Sequence, residues 1–403
     1  MGKSFGDKLR SERLKRGITQ AQLGNGTFRP REISLLETGR REPVSGAVRI
    51  LSQRLASHGT VDGHRAVAAT PLFLELSARQ AEDERDYAAA CGLAGTAAEA
   101  ALAAGDPPTW WGMTFLAARC LCTLHAYREC IGKASLLSCH PLTADPVLRA
   151  QAETLLATAY QGTGELGRAI AHARTAVEGV PATGGAVFLE ACGALVSALA
   201  EAGRLDEAWS YCRTFVLPLL ETGVDRQTKG KALWAAGNVA FRRGDVYTGL
   251  LHHRAAAALL QPGTDVELWA RFNSATAAMR LAAGIHDDET LACIEHAEAA
   301  MSVVGLYGPE RLEPAHSRGL WLDLNGEHLR AVGMLLDVYA HRDELSPQDS
   351  GELALHLGLA LAHTGRPDAG SACLVDSEQS FRSAGARDRA AHAAALAHEL
   401  AAG

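Results

Sequence analysis

The stretch LWAAGNVAFRRGD, residues 233–245, decides the fold of this 403-residue chain. It sets a small residue, Gly237, seven positions before a Gly244-Asp245 corner, with a helix-length segment on either side. Similar corners recur at Gly164-Glu165-Leu166, Gly203-Arg204-Leu205, Gly284-Ile285-His286, Gly326-Glu327-His328 and Gly365-Arg366-Pro367. Counted from Gly164, successive corner glycines are 39, 41, 40, 42 and 39 residues apart. So regular a period predicts stacked helical hairpins, units that bury their apolar faces only against one another. One and two periods earlier lie His125-Ala126-Tyr127 and Glu84-Arg85-Asp86, in register but without the glycine, which brings the count to about eight hairpins. Ala386 to Leu400 reads as a closing helix. Composition agrees: 47% apolar but only 5% aromatic, rich in Ala and Leu and sparse in Pro, it predicts an all-α chain.

These units resemble tetratricopeptide repeats, lengthened from that family's spacing of about 34 residues. Ala169, Ala208 and Ala331 occupy the small position five after the turn, where the two helices of a hairpin meet. The resemblance covers roughly residues 71–400, and another α-solenoid of longer repeat is the alternative architecture. In such a solenoid the first helix of each pair lines the concave side. Positions thirteen, ten, six, three and two before each corner glycine then face a groove. They include Glu190, Ser197, Lys231, Trp234, Asn238, Phe241, Arg242, Arg271, Ser274 and His316. Asn bonds both groups of an extended backbone, Arg and Lys hold a carboxylate, and Trp and Phe cover an apolar side chain. The plainer reading is that Trp234 and Phe241 pack the hairpins and the charges form a solvated face.

The first fifty-odd residues follow a different pattern. Phe5, Leu9 and Leu14 fall near helical spacing, with Lys8, Arg10, Arg13, Lys15 and Arg16 around them. Gly17 is placed to stop that helix, and Thr19 to cap a second one that opens at Gln20. After the turn Gly24-Asn25-Gly26-Thr27, Pro30 suits the first turn of a third helix, which ends at Gly39. Ile33 and Leu36 point inward; Arg31, Glu32, Ser34 and Leu35 lie on or beside the outer face. Residues 1–56 hold twelve Lys and Arg against five Asp and Glu, net +7, while the remainder holds 27 against 41, net −14. Such a head attracts phosphate through counterion release despite the acidic whole.

Residues 5–56 resemble the Xre/Cro helix-turn-helix family at Thr19, Gln20, Leu23, Ile33, Ser34, Glu37, Gly39 and Pro43. The chain departs by one residue fewer between the second and third helices and by Gly24 where that family has Ala. The resemblance implies that Gln20 meets a phosphate, with Thr19 and Ser34 in the same motif. It makes Arg29, Arg31 and Glu32 the base readers, lets Arg40 and Arg41 grip the backbone, and gives Glu37 a structural role beside a basic side chain.

The expected organisation is all-α: residues 1–58 a helix-turn-helix head, 59–70 a linker within the hinge 57–70, and 71–403 a repeat body for ligand binding and dimerisation. As a whole the chain resembles cytoplasmic regulators with an Xre-type head and a tetratricopeptide-like body, including the peptide-pheromone receptors of Gram-positive bacteria. Its Ala, Arg and Gly content suits a high-GC actinobacterial relative controlling secondary metabolism or development. The resemblance implies a homodimer on a near-palindromic double-stranded DNA operator, responding to a peptide or small-molecule effector. Alternatives are a groove that binds another protein, and a thiol or metal sensor built on Cys120, Cys122, His125, Cys130, Cys139 and His140. Cys120 and Cys122 point about 160 degrees apart on a helix, which opposes a shared ion. Nine cysteines without a framework suit reduced thiols, and no segment reads as a secretion signal or membrane span. No Walker loop, dinucleotide fingerprint or nucleophile motif is present, so neither an enzyme, a cofactor nor a metal is expected.

Overall fold

Each glycine corner turns the chain in the same way. In the computed structural model, which describes residues 5–40, 50–51, 54–55, 71–181, 185–220, 224–304 and 308–402, the six corner glycines have φ between 74° and 83°. At Gly244 the amide N–H donates to Phe241 O, and that of Asp245 donates to Ala240 O. These are the two bonds of a Schellman cap, which satisfy carbonyls that a helix end leaves open. Asp245 then caps the next helix, its carboxylate accepting from Thr248 N. Asp86, Asp106, Asp145, Asp225 and Asp265 cap their helices likewise. The two corners without glycine close identically: Arg85 and His125 adopt φ of 62° and 60° and make the same bond pair. The register of the repeat therefore outranks the local preference of the residue.

All described elements are helical, with no strand among them. They divide into two compact units, residues 1–204 and 205–403. The first unit opens with α1 (Phe5–Lys15), α2 (Gln20–Gly24) and α3 (Pro30–Glu37). These enclose Leu9, Ile18, Leu23, Ile33 and Leu36 together with Leu51 and Leu55. There follow α4 (Pro71–Asp83), α5 (Tyr87–Ala103), α6 (Pro107–Thr123), α7 (Tyr127–Ser138), α8 (Pro146–Gly162), α9 (Leu166–Gly179) and α10 (Gly185–Glu201). Their core is largely alanine, with Ala90, Ala94, Ala97 and Ala117 fully buried.

The second unit holds α11 (Leu205–Tyr211), a π-helical turn at Cys212–Val216, α12 (Arg226–Arg242), α13 (Val246–Leu259), α14 (Val266–Ala282) and α15 (Asp288–Val304). It ends with α16 (Glu313–Leu324), α17 (His328–Tyr339), α18 (Pro347–His363), α19 (Pro367–Ser383) and the closing helix α20 (Arg387–Ala402). Ala169, Ala208 and Ala331 are fully buried, as expected of the small position five after each turn. A close backbone approach in this unit joins α18 to α19, where a Cβ on Gly370 would lie 2.6 Å from Gly358 O. The layout is a tetratricopeptide-like helical repeat.

Candidate functional site

The head owes its shape to a polar tie beneath its surface. Arg13 spans to Glu37 with two bonds, Nε to Oε1 at 2.6 Å and Nη2 to Oε2 at 3.0 Å, while its Nη1 donates to Ile18 O. Gln20 Nε2 adds a third donor to Glu37 at 2.8 Å. Arg13 and Glu37 are 8% and 4% exposed, so this charge pair locks α1, the corner and α3 together in a low-dielectric setting. Thr19 accepts from Gln22 N and the Gln22 side chain returns a bond to Thr19 N, a complete capping box. On α3, Ile33 and Leu36 are buried as expected.

The eight head positions fare differently. Arg29, Arg31 and Arg40 are exposed and Ser34 is half-buried. Glu32 turns back, its carboxylate accepting from Arg29 N at 2.9 Å, so it organises the start of α3. Gln20 is engaged with Glu37 and Thr19 with its cap. Arg41 and the hinge 57–70 lie outside the described residues.

In the second unit, one face of each first helix carries polar groups joined across the 40-residue period. Arg271 on α14 bonds Glu267 at 2.8 Å and Glu310 at 2.9 Å. Ser274 Oγ donates to Glu313 at 3.0 Å, and His316 Nε2 meets His356 Nδ1 at 2.9 Å. Glu352 pairs with Arg389. Glu313 is open to solvent yet crowded by protein, and this desolvation raises its carboxyl to about 7, opposed by the Ser274 bond. Burial lowers the imidazoles of His316 and His356 to about 4 and about 3, so both are neutral at ordinary pH and share one N–H.

On α12 the steps 227, 231, 234 and 238 hold one face. Lys231 is exposed; Trp234 is half-buried, edge-on to Phe272 at 5.8 Å. Trp234 Nε1 and Gln227 Nε2 are buried donors with no protein acceptor. Asn238 Oδ1 accepts from His253 Nε2 at 3.1 Å. Arg242 is exposed. Phe241 corrects the expectation. It is 8% exposed and packs on His253 and over Gly249 of α13, because the absent side chain of Gly249 leaves room for its ring inside the hairpin. Glu313 lies thirteen before Gly326, within the projection that found Arg271 and His316, and was missed along with Glu267, Glu310 and His356.

The cysteine stretch does not converge. His125 Nδ1 meets Tyr127 Oη, and His140 Nδ1 accepts from Leu142 N. Burial pushes the Cys120 thiol up to about 12, and a bond with Cys122 together with burial raises that of Cys130. Such thiols stay protonated and react slowly.

No protein-family model and no curated protein matches the chain. Solved structures do. A Rap protein complexed with competence and sporulation factor shares 10% identity, covers 98% of both chains and gives a TM-score of 0.51. The apo form of RapI shares 12%, covering 74% of this chain and 99% of its own at a TM-score of 0.52. PlcR of Bacillus thuringiensis, in complex with the peptide PapR7 and DNA, shares 13% over 75% of this chain and 96% of its own, with a TM-score of 0.42. The first two establish the repeat fold alone. No helix among the described residues is long and apolar enough to cross a membrane.

Proposed function

We propose that this chain is a DNA-binding transcriptional regulator with a helix-turn-helix head and a repeat body that responds to a peptide or small-molecule effector. The observation that carries the reading is the outer side of α3. Arg29 and Arg31 stand exposed at the start of a helix anchored through buried Ile33, Leu36 and Glu37. A helix so anchored enters a major groove N-terminus first, and arginine forms a bidentate pair with guanine. Arg40 and the net +7 of residues 1–56 supply phosphate attraction.

The polar face of α12, α14, α16 and α18 takes the effector. Its buried donors on Trp234 and Gln227 suit backbone carbonyls, Lys231 a carboxylate, and Glu310 and Glu313 an ammonium or guanidinium. A short peptide offers all of these. The Rap complex with competence and sporulation factor supports an effector in this body. The regulator acts in the cytoplasm as a homodimer on a near-palindromic operator. The effector shifts the DNA-competent population only in so far as it favours one arrangement of the heads.

Genome-wide DNA capture with purified full-length protein, followed by footprinting, tests this. Arg31→Ala is expected to cost about 1–3 kcal/mol and relax preference at one base position. Capture of only weak, salt-sensitive and sequence-independent DNA would replace the operator reading with one in which the body binds another protein.

A further inference from the structure

We propose that Asp323, His328 and His363 form a binding site for a borderline divalent metal ion of the zinc class. Asp323 lies in the last turn of α16 and His328 opens α17. The Gly326 corner, with φ of 83°, brings them together. One period on, His363 ends α18 and reaches the same carboxylate. His328 Nδ1 lies 2.7 Å from Asp323 Oδ1, and His363 Nδ1 lies 3.1 Å from Oδ1 and 3.2 Å from Oδ2. One donor atom from each residue falls within 4.8 Å of the others.

The donor chemistry selects the ion. Two imidazole nitrogens and one carboxylate suit zinc and its neighbours, whereas calcium and magnesium take oxygen. Bonds of about 2.0–2.1 Å to a tetrahedral ion place ligand atoms roughly 3.3 Å apart, so the three groups need shifts of about an ångström. Charge points the same way. The Asp323 side chain is 7% exposed, and among the described residues its ion-pair partners are the two histidines, which carry no permanent charge. A dication there would pair with this enclosed carboxylate. The His328 and His363 side chains are 34% and 49% exposed, which leaves an entry path and an open coordination position. The ion bonds two residues of one hairpin and one of the next, so it ties successive repeats across their edge. A ring that binds the ion through Nδ1 carries no proton there, so any proton on that nitrogen is released or moves to Nε2.

The test is calorimetric titration of zinc chloride into chelator-stripped full-length protein, paired with thermal melts. The wild type is expected to bind one zinc ion through this site and to melt higher when loaded. Asp323→Asn and His363→Ala are expected to lose at least tenfold in affinity while keeping the wild-type circular dichroism. No zinc binding by the wild type overturns the proposal, as does equal binding by wild type and both variants. Should the variants fail to fold, the absorption of cobalt-loaded wild type decides. Bands of nitrogen and oxygen ligation support the site, and a thiolate charge-transfer band overturns it by placing the ion on cysteine.

Discussion

The head and the second unit are both helical, yet they differ in what fixes their helices against one another. In the head, α1, α2 and α3 are 11, 5 and 8 residues long, and a charged pair crosses the interior from Arg13 to Glu37. In the second unit, 17-residue helices such as α14 and α18 meet through alanine and glycine, with Ala270, Ala277 and Ala360 fully buried. Short helices offer little apolar area, so directional bonds must fix their angles. Long helices with small faces approach closely, and dispersion summed over many contacts holds them. The difference reaches the surface. The head encloses Arg13 and displays other arginines, whereas the second unit, which also buries Arg280 against Thr290, Asp287 and Glu289, carries further polar groups along one face of its first helices.

Removing the tie in the head breaks this comparison most strongly. Arg13→Ala leaves Glu37 buried without its ion-pair partner and is expected to cost about 3–5 kcal/mol. Hydrogen exchange should locate the loss in α1–α3 and leave 226–402 protected. An Arg13→Met/Glu37→Leu double variant, which replaces the charges with apolar bulk, should recover most of it.

Acid reverses the ranking and attacks the second unit. His253 is 2% exposed, and burial lowers its imidazole to about 4. Between an unfolded value near 6.5 and about 4, the unfolded chain binds a proton that the folded chain does not. Stability is therefore full above pH 6.5 and falls as pH drops through that window, by about 3 kcal/mol for this group. His316 and His356 act in the same direction. Melts from pH 7 to 4 should show the decline, with a flatter profile in His253→Asn whatever its absolute Tm.

Glycine sharpens the contrast at smaller scale. Gly370→Ala forces a Cβ against Gly358 O, a backbone atom that cannot swing aside, and is expected to cost about 2 kcal/mol. Gly333, exposed on α17 with nothing within 4 Å of a built Cβ, should behave oppositely. Its replacement by Ala is expected to add roughly 0.5–1 kcal/mol in denaturant titrations.

The repeat was legible because its punctuation is local. A glycine at φ near 75° is an intrinsic preference, and six of them spaced by about 40 residues declare the hairpins without any tertiary knowledge. Arg85 and His125 were legible only through that register, since neither favours the conformation it adopts. The polar face was legible in part. Helical arithmetic reached Arg271, Ser274 and His316, but Phe241, which the same arithmetic projected into the groove from three residues before its corner, turns inward because Gly249 on the following helix makes room for its ring.

By itself the sequence determined the helical class, the hairpin period, the places where the chain turns and the basic character of the first fifty-odd residues. Each of these follows from backbone propensity or net charge, which act within a few residues or over whole segments. Tertiary structure alone decided which polar groups meet. Glu37 faces Arg13 across 24 residues, His356 faces His316 across 40, and His363 joins Asp323 across 40. The reason is geometric: a shared helix face specifies direction only to within tens of degrees, whereas a hydrogen bond requires placement to a few tenths of an ångström, and that precision comes from packing.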